Sequence, residues 1–423
     1  MISLQSIRDD PEGVKAAVAR KGEPTETIDR VRAADERRRE LEASTNELRA
    51  QRNAGNKALG EAMRGGGGAA ADELKARMAE LSKRIDANAT DLSELERQIQ
   101  ADMLLIPNLP DPSVPDGLGE ADNPVLRTWG EPADAASVPP HWEIAERLGL
   151  FDLERGAKIA GSGFILFTGA GARLERALIG LMLEMAERHG YTEVWSPLLV
   201  NEASARGTGQ LPDKEAQMYV VERDELYLIP TAEVPVTNLY RDEILSAEQL
   251  PIHHAAYTPC FRREAGAAGK DTRGLLRVHQ FDKVEMVKFV SPDTSAAELE
   301  SLTHDAEDVL QALELPYRVI EHCTGDLGFA HARSYDLDVW SPGVGKWLEV
   351  SSCSNYTDFQ ARRMNLRFKP AADAQTQLVH TLNGSALGMS RTYAALIETH
   401  LQADGSIRIP DALRPHFGAD AIR

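Results

Sequence analysis

The chain has 423 residues, of which 42% are hydrophobic, and this length allows two or three domains with at least one large core. Its formal net charge of -19 argues against indiscriminate binding to polyanions, which depends on basic surface. No apolar run approaches the roughly 18 residues that span a bilayer, and the N-terminus lacks the basic and apolar regions of a secretory signal. We therefore expect a cytoplasmic protein that does not enter a membrane.

The cysteines and histidines do not predict a metal or disulfide framework. Cys260, Cys323 and Cys353 are an odd number and widely separated, which fits buried thiols in a reducing compartment. No CxxC or HExxH pattern occurs, and the adjacent His253 and His254 are poorly spaced to hold one metal ion from a helix. We expect no zinc, and we expect Cys353 to be a core residue and not a nucleophile.

Residues 30–100 are predicted to form a helical arm. Apolar residues in its second half alternate spacings of four and three, with one polar interruption, as in a coiled-coil seam. These seam positions are Leu74, Met78, Leu81, Ile85, Asn88, Leu92, Leu95 and Ile99. A weaker seam runs through Val31, Ala34, Leu41, Thr45, Leu48 and Leu59. Because four glycines at 65–68 separate the two seams, we expect an antiparallel hairpin of roughly 50 Å.

The charge of this arm differs from that of the rest of the chain. Residues 30–100 contain 14 Lys or Arg and 13 Asp or Glu, a net charge of +1, so the rest of the chain carries -20. Within residues 30–64 the balance is 9 basic against 6 acidic. A mildly basic, projecting arm favours a long, charged partner. A hairpin that only packs on its own domain or dimerises stays open as an alternative.

A proline-rich segment follows the arm. Four prolines, at positions 107, 110, 112 and 115, end the helix and predict a semi-rigid linker over residues 104–117. The predicted domains are therefore residues 1–103, which include the arm, and residues 118–423.

Strands and helices alternate in the second predicted domain. Helices are predicted over 174–189 and 392–401. Strands are predicted over 191–200, 225–230, 256–262, 277–289, 317–321, 334–339 and 346–351. Since most of these strands return through hairpins and not through helices, they predict a mixed, mainly antiparallel sheet and an α+β fold.

Residues 261–285, FRREAGAAGKDTRGLLRVHQFDKVE, contain the strongest functional signal. Two arginines and a glutamate precede a Gly/Ala-rich loop, and Phe281 and Glu285 follow on an alternating segment. Guanidinium groups suit phosphates and carboxylates, an aromatic face suits a base, and a carboxylate suits an amine. The alternative is an exposed basic hairpin between two strands.

Other segments extend this signal. They are LIPTAEVPVTN around Thr231, TGDLGFAHARSYDLDVW (324–340), KWLEVSSCSNYTDFQARRMNLRF (346–368) and NGSALGMSRTYAALIE (383–398). With FRREAG and FDKVE, they resemble the seryl-tRNA synthetases of the bacterial type over the whole chain. The resemblance implies a class II aminoacyl-tRNA synthetase domain, with its sheet flanked by helices, behind a tRNA-binding coiled-coil arm. Taken alone, Thr231 followed by Ala232 and Glu233 indicates an ordinary helix start.

The resemblance implies activation of serine with ATP to seryl-adenylate, followed by transfer of serine to the 3′ end of tRNA(Ser), and also of tRNA(Sec). Arg262 would clamp the α-phosphate and the serine carboxylate, and Arg391 the γ-phosphate; with Glu349 they form the implied catalytic set. The residues implied for ATP are Arg262, Arg263, Glu264, Val278, Phe281, Glu349, Val350, Ser351, Ser352 and Arg391. Glu349 and Ser352 are also implied as ligands of Mg²⁺, which favours oxygen.

Specificity for serine must come from polar contacts, since its side chain offers only a hydroxyl group. A pocket that hydrogen-bonds this group rejects alanine, because alanine would leave buried polar groups unpaired. The residues implied for serine are Thr231, Ala232, Glu233, Arg262, Glu285, Asn383 and Ser385. For Glu285 alone, the alternative is an exposed strand carboxylate in a salt bridge.

The resemblance also implies a homodimer formed through motif 1, at about residues 174–197, and an arm that recognises the shape of tRNA. The chain departs from the family pattern at Arg263, where serine is usual, and at Ala386 and Ser390 in motif 3. Motif 3 implies a glycine-rich turn before Arg391, where alanine matters only if φ is positive.

Three alternative functions stay open. A paralogue that loads an amino acid onto a carrier protein generally lacks the arm that this chain keeps. A catalytically silent RNA-binding paralogue would have no need of Arg262, Glu349, Ser352 and Arg391 together. A specialised serine-activating paralogue in biosynthesis or resistance would share the same active-site chemistry.

Overall fold

A computed structural model describes residues 1–136, 138–213, 216–265 and 273–423. Most of the Gly/Ala-rich loop predicted after Glu264 lies outside these described residues. The chain forms two compact units, one of residues 2–19 and 23–107, the other of Met1 and residues 20–22 and 108–423. The division after Pro107 falls inside the predicted linker.

The helices have these bounds: α1 Leu4–Asp9, α2 Pro11–Arg20, α3 Glu26–Arg64, α4 Ala69–Leu105, α5 His141–Leu148, α6 Leu153–Ala160, α7 Gly169–Arg188, α8 Glu202–Thr208, α9 Glu233–Thr237, α10 Ser295–Ala312, α11 Phe359–Met364, α12 Met389–Thr399 and α13 Arg414–Phe417. The strands are β1 Val125–Trp129, β2 Phe151–Asp152, β3 Leu166–Phe167, β4 Thr192–Glu193, β5 Leu199–Asn201, β6 Val220–Val221, β7 Leu226–Leu228, β8 Ile244–Ser246, β9 Ile252–Phe261, β10 Gln280–Val290, β11 Tyr317–Glu321, β12 Arg333–Ser341, β13 Lys346–Asn355, β14 Arg367–Lys369, β15 Gln377–Leu378, β16 His380–Gly388, β17 Ile407–Arg408 and β18 Ala421–Ile422.

The first unit is built around the hairpin of α3 and α4, so the predicted helical hairpin is confirmed. The two helices have 39 and 37 residues, which corresponds to roughly 55 Å each at 1.5 Å per residue. They are antiparallel, because Arg30 pairs with Asp102 while Thr45 bonds Asn88 further along. Three glycines at the tip, 66–68, have positive φ, a conformation that side chains disfavour.

One polar layer interrupts the apolar seam of this hairpin. Asn88 Nδ2 donates to Thr45 Oγ1 at 2.9 Å, and the same hydroxyl donates to the Leu41 carbonyl at 2.7 Å. Next to this Thr45–Asn88 layer lies an apolar cluster of Leu48, Met78, Leu81 and Ile85. The polar interruption of the heptads is therefore a satisfied hydrogen-bonded pair within the seam.

The second unit contains an eight-stranded sheet in the order β1-β11-β12-β13-β16-β10-β9-β4. Its neighbouring strands are antiparallel except for the short β4, which is parallel to β9. The predicted α+β fold with a mainly antiparallel sheet is confirmed. The apolar faces of α7, α10 and α12 pack on this sheet in one large core.

Each predicted strand overlaps a strand of the structure, but the segment predicted over 191–200 forms two short strands, β4 and β5, which belong to different sheets. Several elements were not predicted, among them α10 and β16; at β16, motif 3 implied a glycine-rich turn. That prediction was wrong, because residues 380–388 form a central strand between β13 and β10. Gly384 serves close packing here, since a Cβ would lie 2.6 Å from Cys353 Sγ. Neither Ala386 nor Ser390 has positive φ, so the family glycines that they replace are not needed for turn geometry.

Across the described residues, no helix combines the length and the apolar character that crossing a bilayer requires.

Candidate active site

The second unit contains a cavity of about 540 Å³ above the central strands. Fourteen of the residues predicted for ATP, serine or Mg²⁺ line it: Thr231, Glu233, Arg262, Glu264, Val278, Phe281, Glu285, Glu349, Val350, Ser351, Ser352, Asn383, Ser385 and Arg391. The structure therefore brings together residues from motif 2 and motif 3, from the segment around Thr231, and from the segment 346–368.

The strand period places these residues on one face. Phe281, Lys283 and Glu285 alternate along β10, and since successive side chains point to opposite faces, all three face the cavity. On the neighbouring strand, Ser385 lies opposite Glu285. A register shift in the pairing of β12 with β13 accompanies the run 349–352, of which all four residues line the cavity.

One end of the cavity is rich in guanidinium groups. Arg262 lies with Cζ 5.2 Å from the centroid of the Phe281 ring, and its Nε donates to the Pro230 carbonyl at 3.4 Å. Arg277 donates to Glu264 Oε2 at 2.6 Å. Arg262 thus lies beside an aromatic face, an arrangement that suits the phosphates and base of a nucleotide.

Arg391 enters the cavity from the first turn of α12. Its Nε donates to the Leu276 carbonyl at 3.1 Å, and its Nη1 donates to the Glu349 carbonyl at 2.9 Å. Because these acceptors leave further N–H groups of the guanidinium, and because the N-terminal end of a helix favours negative charge, this position suits a phosphate.

The other end of the cavity is acidic and buried. Glu285 is 2% exposed, and its Oε2 accepts a hydrogen bond from Thr231 Oγ1 at 2.9 Å. Glu233 accepts from Gln360 Nε2 at 2.6 Å. Burial, helped by the charge of Glu285, raises the pKa of Glu233 to about 7. Two buried carboxyl groups close together suit the ammonium group of an amino acid.

Tyr356 and His331 form the wall beside this acidic end. The Tyr356 hydroxyl donates to Asn383 Oδ1 at 3.1 Å, and the two rings of Tyr356 and His331 meet edge to face with centroids 5.1 Å apart. Burial, together with the charge of Lys21, lowers the pKa of His331 to about 3. The imidazole is therefore neutral near pH 7 and adds no charge to the pocket.

Glu349 and Ser352 provide the oxygen atoms predicted to hold Mg²⁺. Next to them, Asp336 lies across from Ser352 in the β12–β13 pairing, and its Oδ1 is buried without a hydrogen-bond partner among the described residues. Burial and the charge of Glu349 raise the pKa of Asp336 to about 6. Carboxylate and hydroxyl oxygens fit a hard cation, and Mg²⁺ needs only one or two protein carboxylates when phosphates complete its shell.

No group of three or more His, Cys, Asp or Glu side chains within the described parts of the chain is arranged to hold a metal ion. Cys353 is fully buried against Gly384, and burial raises the pKa of its thiol to about 12. It lies in the core, as predicted.

Comparisons with known proteins agree with this geometry. Residues 1–110 match the family model of the seryl-tRNA synthetase N-terminal domain, and residues 219–400 match the tRNA synthetase class II core domain (G, H, P, S and T). The "Serine--tRNA ligase" of Gemmatimonas aurantiaca is 52% identical, with 99% of each chain covered. The chain belongs to the seryl-tRNA synthetases.

Solved structures support the same family. The seryl-tRNA synthetase from Pyrococcus horikoshii complexed with ATP is 37% identical, has a TM-score of 0.95, and the comparison covers 100% of this chain and 99% of that one. The cytoplasmic serine-tRNA ligase from Naegleria fowleri in complex with AMP has a TM-score of 0.91 at 25% identity, with 100% and 99% covered.

Two residues implied by the seryl-tRNA synthetase resemblance do not line the cavity. Arg263 is exposed, and its Nη1 donates to the Ala216 carbonyl at 3.2 Å. Ala232 is fully buried in a separate apolar cluster, and Thr231 and Glu233 on either side of it reach the cavity.

Other lining residues were missed by sequence analysis. They include Gln210, Gln217, Pro230, Leu276, Arg277, Lys283, His331, Ser354, Tyr356, Gly388 and Ser390. One signal was available for Lys283, because it lies two residues before Glu285 in a predicted strand and therefore on the same face. Nothing in the sequence indicates that Tyr356 would contact both Asn383 and His331.

Proposed function

We propose that this cavity activates serine with ATP and then transfers serine to tRNA. One observation carries the proposal: a single sheet face joins an aromatic and guanidinium-rich end to a buried acidic end. Along β10, Phe281 and Glu285 lie four residues apart, which corresponds to roughly 13 Å. This span suits an amino acid placed against the α-phosphate of a nucleotide.

In this proposal, Arg262 acts where the two ligands meet. It binds the serine carboxylate and the α-phosphate, where charge develops as the carboxylate oxygen attacks phosphorus and pyrophosphate leaves. Arg391 binds the γ-phosphate, and Phe281 stacks on adenine, with Glu264 and Val278 at its edge. No protein nucleophile is required, because alignment and charge stabilisation lower the barrier.

Serine is bound at the acidic end. Glu285 and Glu233 face its ammonium and hydroxyl groups, and Thr231, Asn383 and Ser385 add polar contacts. The roles implied for Arg263 in binding ATP and for Ala232 in binding serine stay predictions, since neither residue lines the cavity.

Glu349 and Ser352 would hold Mg²⁺ against the nucleotide. The ion supplies charge neutralisation for the polyphosphate. In a Mg²⁺ titration of ATP–pyrophosphate exchange, we expect the Glu349→Gln variant to need 10- to 100-fold more Mg²⁺ than the wild type. An unchanged titration curve would remove Glu349 from the metal site.

The N-terminal domain is proposed to bind tRNA(Ser), and tRNA(Sec), by shape through its arm. The exposed arginines of α3 support phosphate contacts. A homodimer through motif 1 is proposed on the exposure of Trp195, at 81%, and of Leu198 and Leu199 beside it. Reduced, buried cysteines fit the cytoplasm, where we place the enzyme.

ATP–pyrophosphate exchange with each of the twenty amino acids, without tRNA, tests the proposal. Exchange with serine alone is expected. Exchange with another amino acid would overturn the assignment of the acidic end, and exchange with none would favour a silent RNA-binding paralogue. Charging of tRNA(Ser) separates a tRNA ligase from a serine-activating paralogue with another acceptor.

A further inference from the structure

Lys283 is a buried cation inside the acidic end of the cavity. It is 7% exposed and lies on β10 two residues before Glu285, so the two side chains share one face. Its Nζ donates to Thr231 Oγ1 at 2.8 Å and forms a close ion pair with Glu285 Oε2. Neither the phosphate end nor the proposed Mg²⁺ ligands take part in these contacts.

These bonds fix the direction of one proton. Thr231 Oγ1 accepts from Lys283 Nζ and from the Glu233 backbone N–H at 3.2 Å. Its single proton is therefore donated to Glu285 Oε2, at 2.9 Å. Thr231 Oγ1 and Lys283 Nζ both contact Glu285 Oε2. Glu285 Oε1 is therefore the carboxylate oxygen that these two donors leave for a ligand.

The charge of Lys283 is also needed where it lies. Glu233 and Glu285 are both buried. If Lys283 were removed, these two carboxylates would lose the positive charge that lies beside them. Because a buried carboxylate without a cationic partner is strongly disfavoured, one of the carboxyl groups would take up a proton. The other titratable groups near Glu233 and Glu285 include Arg262, Cys260, Cys353, Tyr356 and His331.

We propose that Lys283 is a specificity-determining positioning residue: it occupies Glu285 Oε2 and orients Thr231, so that Glu285 Oε1 and Glu233 receive the ammonium and hydroxyl groups of a small amino acid. This inference rests on the proposed function. It explains how a pocket can recognise a ligand whose side chain is one hydroxyl group, since only fixed donors and acceptors distinguish serine from alanine.

The test is ATP–pyrophosphate exchange by a Lys283→Met variant. We expect the KM for serine to rise at least 30-fold, the KM for ATP to stay within threefold, and the serine-to-alanine ratio of kcat/KM to fall at least 10-fold. Removing the charge also raises the pKa of Glu233, so the rise of the serine KM on acidification should begin at a higher pH than in the wild type. The Lys283→Arg variant keeps the charge, so the pH dependence of its serine KM should match that of the wild type.

Lys288→Met is the matched control. Lys288 is a fully buried lysine on the same strand, paired with Glu298 at 2.9 Å and absent from the cavity lining. We expect this variant to lower Tm without changing the serine KM or the serine-to-alanine ratio. If Lys283→Met changes only Tm, as this control does, the inference is overturned.

Thr231→Val tests the same link if Lys283→Met does not fold. It keeps the shape of the side chain and removes the hydroxyl group, and it should reproduce the loss of discrimination. In folded variants, the effects of the two substitutions on discrimination should not multiply, because Lys283 acts through Thr231. Unchanged discrimination in Thr231→Val overturns the inference. Wild-type protein that shows no exchange with serine contradicts the proposed function itself.

Discussion

In the arm, residues that meet across the seam come from two neighbouring helices, and the pattern that joins them repeats every three or four residues. In the cavity, the lining residues come from strands, loops and helix ends spread between Gln210 and Arg391. The stability of the arm is therefore distributed over many similar contacts. The proposed activity of the cavity, in contrast, depends on individual side chains that no neighbouring residue can replace. Substitutions should separate the two regions by both the size and the kind of effect.

The largest effect is expected at Arg262. Arg262→Ala should lower ATP–pyrophosphate exchange about 1,000-fold, because a cation that stabilises developing charge contributes roughly 4 kcal/mol to the barrier. Tm should hardly change, since the structure gives this guanidinium one long hydrogen bond, to the Pro230 carbonyl. Exchange rates and thermal melts check both parts. A loss of less than 10-fold would remove Arg262 from the position where serine meets ATP.

Charge reversal in the arm should act on tRNA alone. Arg37, Arg39 and Arg49 are exposed on α3, and changing all three to Glu should raise the KM for tRNA at least 10-fold. Exchange without tRNA should stay unchanged, and Arg423→Glu, an exposed reversal outside the arm, is the control. Equal loss of exchange and charging would contradict the separation of the two regions.

Glu233 should make stability depend on pH. Its pKa rises from 4.5 to about 7 on folding, so the folded state keeps a proton that the unfolded chain has already released between these values. Stability therefore falls as the pH rises through this window, by at most roughly 3 kcal/mol. Glu233→Gln should raise Tm relative to the wild type at pH 8 and lose this gain below pH 4.5. The exposed Glu222→Gln controls for the substitution, and a gain that does not depend on pH would contradict the burial argument.

The smallest effect is expected in the arm seam. Asn88→Ala removes the partner of Thr45 and should cost about 1 kcal/mol of stability, the usual contribution of one hydrogen bond. Exchange should not change. Arg97→Ala breaks an exposed pair with Glu94 on the same helix and should leave Tm unchanged. If Asn88→Ala and Arg97→Ala have the same Tm, the Thr45–Asn88 layer contributes no more to stability than an exposed ion pair.

The sequence predicted these regions to different depths for a physical reason. The heptads of the arm are local, so the hairpin could be predicted directly, although α4 continues to Leu105. The strand β16 was missed because the resemblance to motif 3 implied a glycine-rich turn there, whereas residues 380–388 pair with β10 and β13. Motif resemblance found most of the cavity but not Lys283, whose role depends on contacts with Thr231 and Glu285.

The Thr45–Asn88 layer also gives the hairpin a fixed point from which its length can be counted. The helical residues between this layer and the tip, 46–64 and 69–87, are 19 on each side. Removing or adding seven residues on both sides would leave the bond and the heptad phase intact, whereas a change on one side alone would break one of them. Length is thus a property of this arm that can vary without redesign of its base, provided that the two helices vary together.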